Sequence, residues 1–481
     1  MYEIPFKKLD DDTLGEFRQL SESCPYNSTA FCPGQRFMWR KSYPTEFAVL
    51  KGYMIVRIGH RSGFEYLFPY PVNAAAGENA DVNEILDCLD EHMENTDSLL
   101  CFSALDDEQV RILSDRYTNY KVVSKRHWAD YLYLTEELAS FAGRRYSGQR
   151  NHIKHFKTDY PDAVFRPLTI PDREKLEAFF SEFESNFTKT SEMAKDELFY
   201  AKEHMLLQCK DCIAYCVELD NRIIAICLGE KFGDCIDVQI EKCLPGYRGC
   251  YPFVVNEFAK VNLGKAKYLN REDDAGDMGL RTSKLQYRPL KLIPNRSFTV
   301  TNELFGLSID SADLDSALAS VKLESSVLTL TALFENDSNE YDRLCKDSEH
   351  NRLWDYYPQK QDVKAKPSGY FLESARKAFD KGTALSLAIR LDGRFIGEAV
   401  FFVFNGRGEC KLGWRLLPQY CGKGYGAEAF KLAGDYALTT IGLSKVTAYC
   451  HKENTASAKA IAHSMTQIGE DGEFLYFERT I

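Results

Sequence analysis

Leu412-Gly-Trp-Arg-Leu-Leu-Pro-Gln-Tyr-Cys-Gly-Lys-Gly-Tyr-Gly-Ala-Glu-Ala-Phe430 is the stretch on which the fold turns. Its opening residues read as a strand that runs to Leu417. Pro418 ends the ladder, because proline has no N–H to donate. Gly422, Gly424 and Gly426 then alternate, and a helix opens. Ala429, Leu432, Ala433, Tyr436 and Ala437 fall at i, i+3, i+4, i+7 and i+8, one buried face closed by Gly442. Strand, glycine loop and helix N-terminus together make an anion cradle. Glycine lets the backbone approach a ligand, and the first helical N–H groups lack acceptors. The guest it suits is a phosphate or pyrophosphate. A Walker A loop fails because Lys423 is followed by Gly424. A Rossmann fingerprint fails because the third glycine comes one residue early. A tight turn without a ligand is the alternative.

The flanks fit a mixed sheet. Ala384–Leu391, Arg394–Phe404 and Glu409–Leu416 read as antiparallel strands, the first two joined by an Asp392-Gly393 hairpin turn. Lys445–Tyr449 is a further strand. Asn454 in His451-Lys-Glu-Asn-Thr-Ala-Ser457 is placed as an N-cap of a helix through Ala462.

These motifs, in this order and spacing, resemble the GNAT N-acetyltransferase superfamily over Ser326 to Ile481, and most of all its branch acting on ribosomal-protein N-termini. The resemblance implies acetyl-CoA as cosubstrate, with its pyrophosphate on the N–H groups of Gly422 to Gly426. Its pantetheine arm would lie along a splayed strand, Lys411–Leu417. Leu416, Cys421, Gly422, Lys423, Gly424, Tyr425, Gly426, Asn454 and Ser457 are the implied cofactor contacts. Three positions depart from the family pattern. Cys421 stands for the usual Gln or Arg, Met465-Thr466 for Gly-Phe, and Ile461 where many members carry an acid tyrosine.

An amine must lose its proton to attack a thioester, and a carboxylate acting through water is the usual solution. Glu409, on the strand leading into the loop, is the first candidate base, and Glu398, one strand earlier, the second. The alternative for each is an exposed strand carboxylate.

Two clusters stand out upstream. Arg144-Arg-Tyr-Ser-Gly-Gln-Arg-Asn-His-Ile-Lys154-His155 is basic in an acidic chain. It reads as a solvated helix face or as a phosphate site. Tyr268-Leu-Asn-Arg-Glu-Asp-Asp274 leads to Gly279-Leu-Arg-Thr-Ser-Lys-Leu-Gln-Tyr287. With Tyr247-Arg-Gly-Cys-Tyr-Pro252, these segments resemble the C-terminal domain family of phosphatidylglycerol lysyltransferase, over Phe17 to Pro294. The resemblance implies two GNAT-like units in tandem. Its better-known members take an aminoacyl group from tRNA, so the alternatives to acetyl transfer are aminoacyl transfer by this half, with aminoacyl-tRNA as partner, and a GNAT-fold binding protein without chemistry. Arg145, Arg150, Asn270, Glu272, Arg281 and Lys284 are the acceptor or anion candidates. Tyr251 occupies the place of the second loop glycine in this half.

The expected fold is therefore α+β, grading into α/β: three GNAT-like units with mixed, mostly antiparallel sheets flanked by helices. Residues 1–300 would hold two, with a break near 150–165. Residues 301–325 would form a linker and 326–481 the third unit. The length of 481 residues suits about three domains. A net charge of −11 argues against a DNA-binding surface. No apolar run reaches the ~18 residues of a membrane helix, and the first residues lack a signal-peptide core. Fifteen scattered cysteines read as reduced thiols of a cytoplasmic protein. Cys209, Cys212 and Cys216 form the one dense group, read as structural thiols with no metal.

Overall fold

The computed structural model describes residues 4–60, 63–72, 81–93, 98–186, 198–204, 212–301, 321–354 and 363–480. They form three mixed sheets of eight, seven and eight strands with helices packed on them. The first sheet runs Lys7–Lys8, Thr45–Leu50, Tyr53–His60, Gly63–Tyr66, Cys101–Leu105, Arg296–Val300 and Tyr120–Ser124 in space, with Tyr70–Pro71 branching from Tyr53–His60. The second runs Lys291–Ile293, Asp130–Leu134, Tyr268–Asn270, Cys235–Cys243, Arg222–Phe232, Ile213–Leu219 and Val164–Pro167. The third runs Lys322–Glu324, Leu328–Ala332, Ala384–Leu391, Arg394–Phe402, Glu409–Leu416, Lys445–His451, Phe474–Thr480 and Thr466–Glu470.

Among the described residues each sheet is antiparallel except for one parallel pair, and those pairs are short. In the third sheet Glu409, Cys410 and Lys411 pair with Lys445, Val446 and Thr447. Beyond Lys411 the first strand stays with Arg394–Phe402 and the second with Phe474–Thr480, so the two part. The second sheet repeats the device: Cys235, Ile236 and Asp237 pair with Tyr268, Leu269 and Asn270, and the longer strand then runs on paired only with Arg222–Phe232.

The break between the first two units differs from the expected 150–165. Sheet membership changes between Ser124 and Asp130, and Arg296–Val300 returns to the first sheet. The cause is Asp130–Leu134, whose first four residues are all buried. A strand covered on both faces needs neighbours on both edges. It finds them in Lys291–Ile293 and Tyr268–Asn270. Within the expected linker, Lys322–Glu324 is already a strand, and residues 302–320 lie outside the described residues. Residues 198–204 are helical, and Cys209 lies outside the described residues. Arg394–Phe402 stops short of Phe404 because Val403 turns to φ +52°, a left-handed conformation that breaks the ladder.

The third core places the glycine-loop helix, Tyr425–Tyr436. Ala429, Phe430 and Ala433 pack on Leu412 and Leu416, with Leu432 and Tyr436 half-buried beside them. A short π turn, Ala437–Ile441, ends on Gly442 at φ +85°.

Candidate functional site

Strand Glu409–Leu416 delivers its end into a 3-10 turn, Pro418–Tyr420, where the Tyr420 N–H donates to the Leu417 carbonyl at 2.9 Å. Gly422 and Gly424 follow at φ +73° and +85°, conformations that a Cβ would strain. Nothing lies within 4 Å of a Cβ built on either, so the loop is open. Gly424 caps the helix with no side chain, and the Glu428 N–H donates to its carbonyl at 3.2 Å. The N–H groups just before Glu428 therefore have no intrahelical acceptor. Gly426 serves another purpose. A Cβ there would stand 2.4 Å from Trp414 Nε1, so its absence lets the indole lie on the helix start, 4.7 Å from the Phe430 ring. Cys421, Gly422, Lys423 and Gly424 are exposed, Tyr425 and Gly426 half-buried, and Leu416 buried.

Across the gap, strand Lys445–His451 leads to helix Thr455–Ala462. Its N-cap is Asn454, whose Oδ1 accepts from the Ser457 N–H at 3.1 Å. Loop, parting strands and capped helix thus come together at one end of the third sheet.

The two glutamates share the sheet face opposite the loop helix but differ in setting. Glu398 has no exposed surface. Arg415 Nε donates to its Oε1 and the Tyr341 hydroxyl to its Oε2, both at 2.7 Å. Arg415 also reaches the Cys345 thiol at 3.0 Å, which burial pushes up to about 12 and keeps neutral. Glu409 is half-exposed at the paired end, two residues before the strands part. Its Oε1 pairs with Lys445 Nζ and its Oε2 accepts from Asn405 Nδ2, both at 2.8 Å.

The second unit repeats the arrangement with the entrance shut. Gly249 opens helix Cys250–Val261 at φ +83°, again without a side-chain cap. A Cβ on Gly249 would lie 2.2 Å from the His152 carbonyl oxygen and 3.2 Å from Phe156 Cβ. The basic run at 144–155 forms a 3-10 turn, Arg144–Tyr146, and most of helix Ser147–Asp159, which covers this helix start, with Phe156 and Phe253 rings 4.8 Å apart.

The six upstream candidates fall into two groups. Arg145 donates to Glu137, and Arg150 donates to the carbonyls of Phe141 and Gly143. Asn270, Glu272, Arg281 and Lys284 gather instead around the turn after Tyr268–Asn270. Arg281 grips Asp274 through two 2.9 Å bonds, and the buried Lys284 ammonium donates to the carbonyls of Arg271 and Asp273. Asn270 donates to the Asn27 carbonyl and Asp130, and its Oδ1 accepts from the Glu272 N–H.

A buried polar cluster went unread in the sequence. Glu230 pairs with Arg18 at 2.8 Å, His204 meets Gln239 at 3.0 Å, and Gln239 donates to the Cys32 thiol at 3.2 Å. Asp237, at the last paired position before the second sheet splays, is fully buried with neither oxygen hydrogen-bonded. Burial, and next the Asp130 charge, push its carboxyl well above the usual range. The available signal was Glu230, Asp237 and Gln239 within the mostly apolar stretches 223–230 and 235–240 of these strands.

Burial likewise drives the His204 ring down to about 4 from an ordinary 6.5. An unfolded chain then takes up a proton at His204 between pH 6.5 and 4 that the native chain refuses. Stability should fall as pH drops through that window. At about 1.4 kcal/mol per pKa unit the loss is roughly 3 kcal/mol. Urea titrations of the parent and of His204→Gln at pH 7.5 and 4.5 check this, and equal pH slopes would refute it.

No group of three or more metal-ligating side chains occurs among the described residues, and no helix there is long and apolar enough to cross a membrane. Two family models match. Phosphatidylglycerol lysyltransferase, C-terminal, covers residues 28–295, and the acetyltransferase (GNAT) domain covers 328–464. A crystal structure of a conserved protein of unknown function from Bacteroides thetaiotaomicron aligns with 62% of this chain and 99% of its own, at 23% identity and a TM-score of 0.57. An uncharacterized N-acetyltransferase of Bacillus subtilis is 28% identical over 115 residues, 23% of this chain and 68% of that protein. An uncharacterized protein of Mycoplasmoides gallisepticum is 23% identical over 161 residues, 33% of this chain; the match spans 52%, about half, of that relative's length.

Proposed function

Because the chain belongs to the phosphatidylglycerol lysyltransferase C-terminal family and carries an acetyltransferase (GNAT) domain behind it, we propose that its third unit transfers an acyl group, namely acetyl, from acetyl-CoA to an amine. The observation that carries this is the open helix start at Gly424, beside two strands that part after Lys411. Its N–H groups suit the pyrophosphate, and the exposed Lys423 adds a charge next to them. Tyr425, Cys421 and Leu416 line the approach, and Asn454 and Ser457 stand across the gap. The pantetheine arm runs along Leu412–Leu416, which brings the thioester toward Lys411.

Glu409, near the point of parting, takes the amine proton directly or through one water. The amine nitrogen then bonds to the acetyl carbon, the C–S bond breaks, and the electron pair leaves with the CoA sulfur. Ile461 offers no proton, so the sulfur leaves as thiolate and then takes the second proton that the nitrogen sheds in becoming the amide. Glu398 is withdrawn from solvent and clamped by Arg415 and Tyr341, so it holds the sheet face and does not meet the amine.

Calorimetry and thermal denaturation of the whole chain with acetyl-CoA test this. At 100 Kd of ligand the native state should gain about 2.7 kcal/mol. Gly424→Asp fits the free space and sets a carboxylate where the pyrophosphate belongs, at the cost of a left-handed backbone that Asp bears better than most residues. It should weaken acetyl-CoA by roughly two orders of magnitude, about 2.7 kcal/mol. An unchanged parent melting curve with saturating acetyl-CoA would remove the proposal.

One observation favours a second reading, aminoacyl transfer from tRNA by the tandem half. A cavity of about 430 Å³ is lined by Arg150, Lys154, Lys157 and Lys260, which suits phosphates. Filter binding of aminoacyl-tRNA without any response to acetyl-CoA would favour it over the first.

A further inference from the structure

The hairpin between strands Arg394–Phe402 and Glu409–Leu416 reaches out of the third unit and docks on the first. The Gly406 carbonyl accepts from the Thr118 N–H at 2.9 Å, the Asn119 N–H at 3.2 Å and the Thr118 hydroxyl at 3.0 Å. A Cβ on Gly406 would lie 2.3 Å from Val300 Cγ1, so a glycine is required for this approach. Arg407 reaches Asp87 at 3.5 Å and Asp90 at 3.6 Å, the two acids of helix Val82–Met93 that also hold Arg116.

The same loop is wired to the candidate base. The Asn405 Oδ1 accepts from the Arg407 N–H at 2.9 Å, and its amide donates to Glu409 Oε2 at 2.8 Å. The Gly408 carbonyl accepts from the Ser444 N–H at 2.8 Å, next to Lys445, the ion-pair partner of Glu409. One side-chain amide thus touches both the docked loop and the carboxylate.

We propose that Asn405, held by the docking of residues 405–408 on the first unit, is a positioning residue for Glu409, so that acyl transfer in the third unit depends on the N-terminal module. The proposal rests on Glu409 as the base. A carboxylate displaced by an ångström loses its line to the amine while the pyrophosphate cradle at Gly424, at the other end of the strand, is untouched.

The test uses the full chain, acetyl-CoA, and a short peptide and a polyamine as probe amines. Arg407→Glu sets like charge against Asp87 and Asp90, and Asn405→Ala removes the bridge. Each should lower kcat by roughly tenfold or more, with acetyl-CoA affinity from calorimetry unchanged. Arg407→Lys should retain most of the rate. In a Glu409→Gln background neither change should cost anything further, because they act through that carboxylate. Hydrogen exchange should quicken at residues 405–411 in Arg407→Glu and stay constant in helix Tyr425–Tyr436. Unchanged kcat and exchange in Arg407→Glu and Asn405→Ala, beside a slow Glu409→Gln, would overturn the coupling and leave the base in place. Full activity in Glu409→Gln would overturn the base itself. A slow Asn405→Ala in that case would mean that Asn405 works by another route, which also overturns the proposal.

Discussion

Glu409→Gln should lower kcat by about two to four orders of magnitude, the range for loss of a general base. Acetyl-CoA affinity should stay constant. The substitution is nearly isosteric, and the Asn405 amide can still donate to the remaining carbonyl oxygen. What is lost is the group that takes the amine proton, together with the ion pair to Lys445 at 2.8 Å. That pair is about a third exposed on both sides. Its removal should cost little stability, since exposed pairs contribute roughly 0–1 kcal/mol. Rate and fold are thus separable at this position. Single-turnover kinetics on a folded variant decide the matter, and a kcat within a factor of about two of the parent would exclude Glu409 as base.

Glu398→Ala should act on the fold instead. It takes the carboxylate away from the Arg415 guanidinium, 5% exposed, and from the Tyr341 hydroxyl. Breaking one side of a buried pair costs about 3–5 kcal/mol. The third unit should melt well before the tandem half, and acetyl-CoA should restore part of the loss by binding the native state. Removing the whole set is gentler: Glu398→Leu with Arg415→Met and Tyr341→Phe should regain most of the stability, because no buried charge is left alone. Differential scanning calorimetry separates these cases. An Ala variant that melts with the parent would show that the pair carries no such energy.

The third unit was legible because its signals are local. Alternating glycines, a proline stop, an Asp-Gly turn and a 3.6-residue apolar face each lie within a dozen residues, and the structure places Ala384–Leu391, Glu409–Leu416 and helix Tyr425–Tyr436 accordingly. Asn454 is a cap, as its position before a helix indicated. What was hidden is long-range. Nothing near Gly249 tells that the His152 carbonyl shuts its helix start a hundred residues away in sequence. Nothing in Asn-Gly-Arg-Gly at 405–408 tells that Val300 and Thr118 receive it. The basic run drew attention as charge, while its decisive residue is the apolar Phe156 beneath it. Asp237 gives no local sign, because its meaning lies in the splay of the strand beside it.

The return of Arg296–Val300 to the first sheet bears on how the chain is made. The second unit is an insertion within the first, so the slot between Cys101–Leu105 and Tyr120–Ser124 stays empty until residue 300 leaves the ribosome. At about 5–20 residues per second, translating from Ser124 to Arg296 takes roughly ten to thirty seconds. Throughout that interval Phe102 and Tyr117 lack Phe298, which packs with them in the finished core. The second unit, whose strands lie between Asp130 and Ile293, can close before the first. Val300, the last residue of the late strand, is also the one that Gly406 rests on, so the complete docking surface for the third unit exists only once the first sheet is finished.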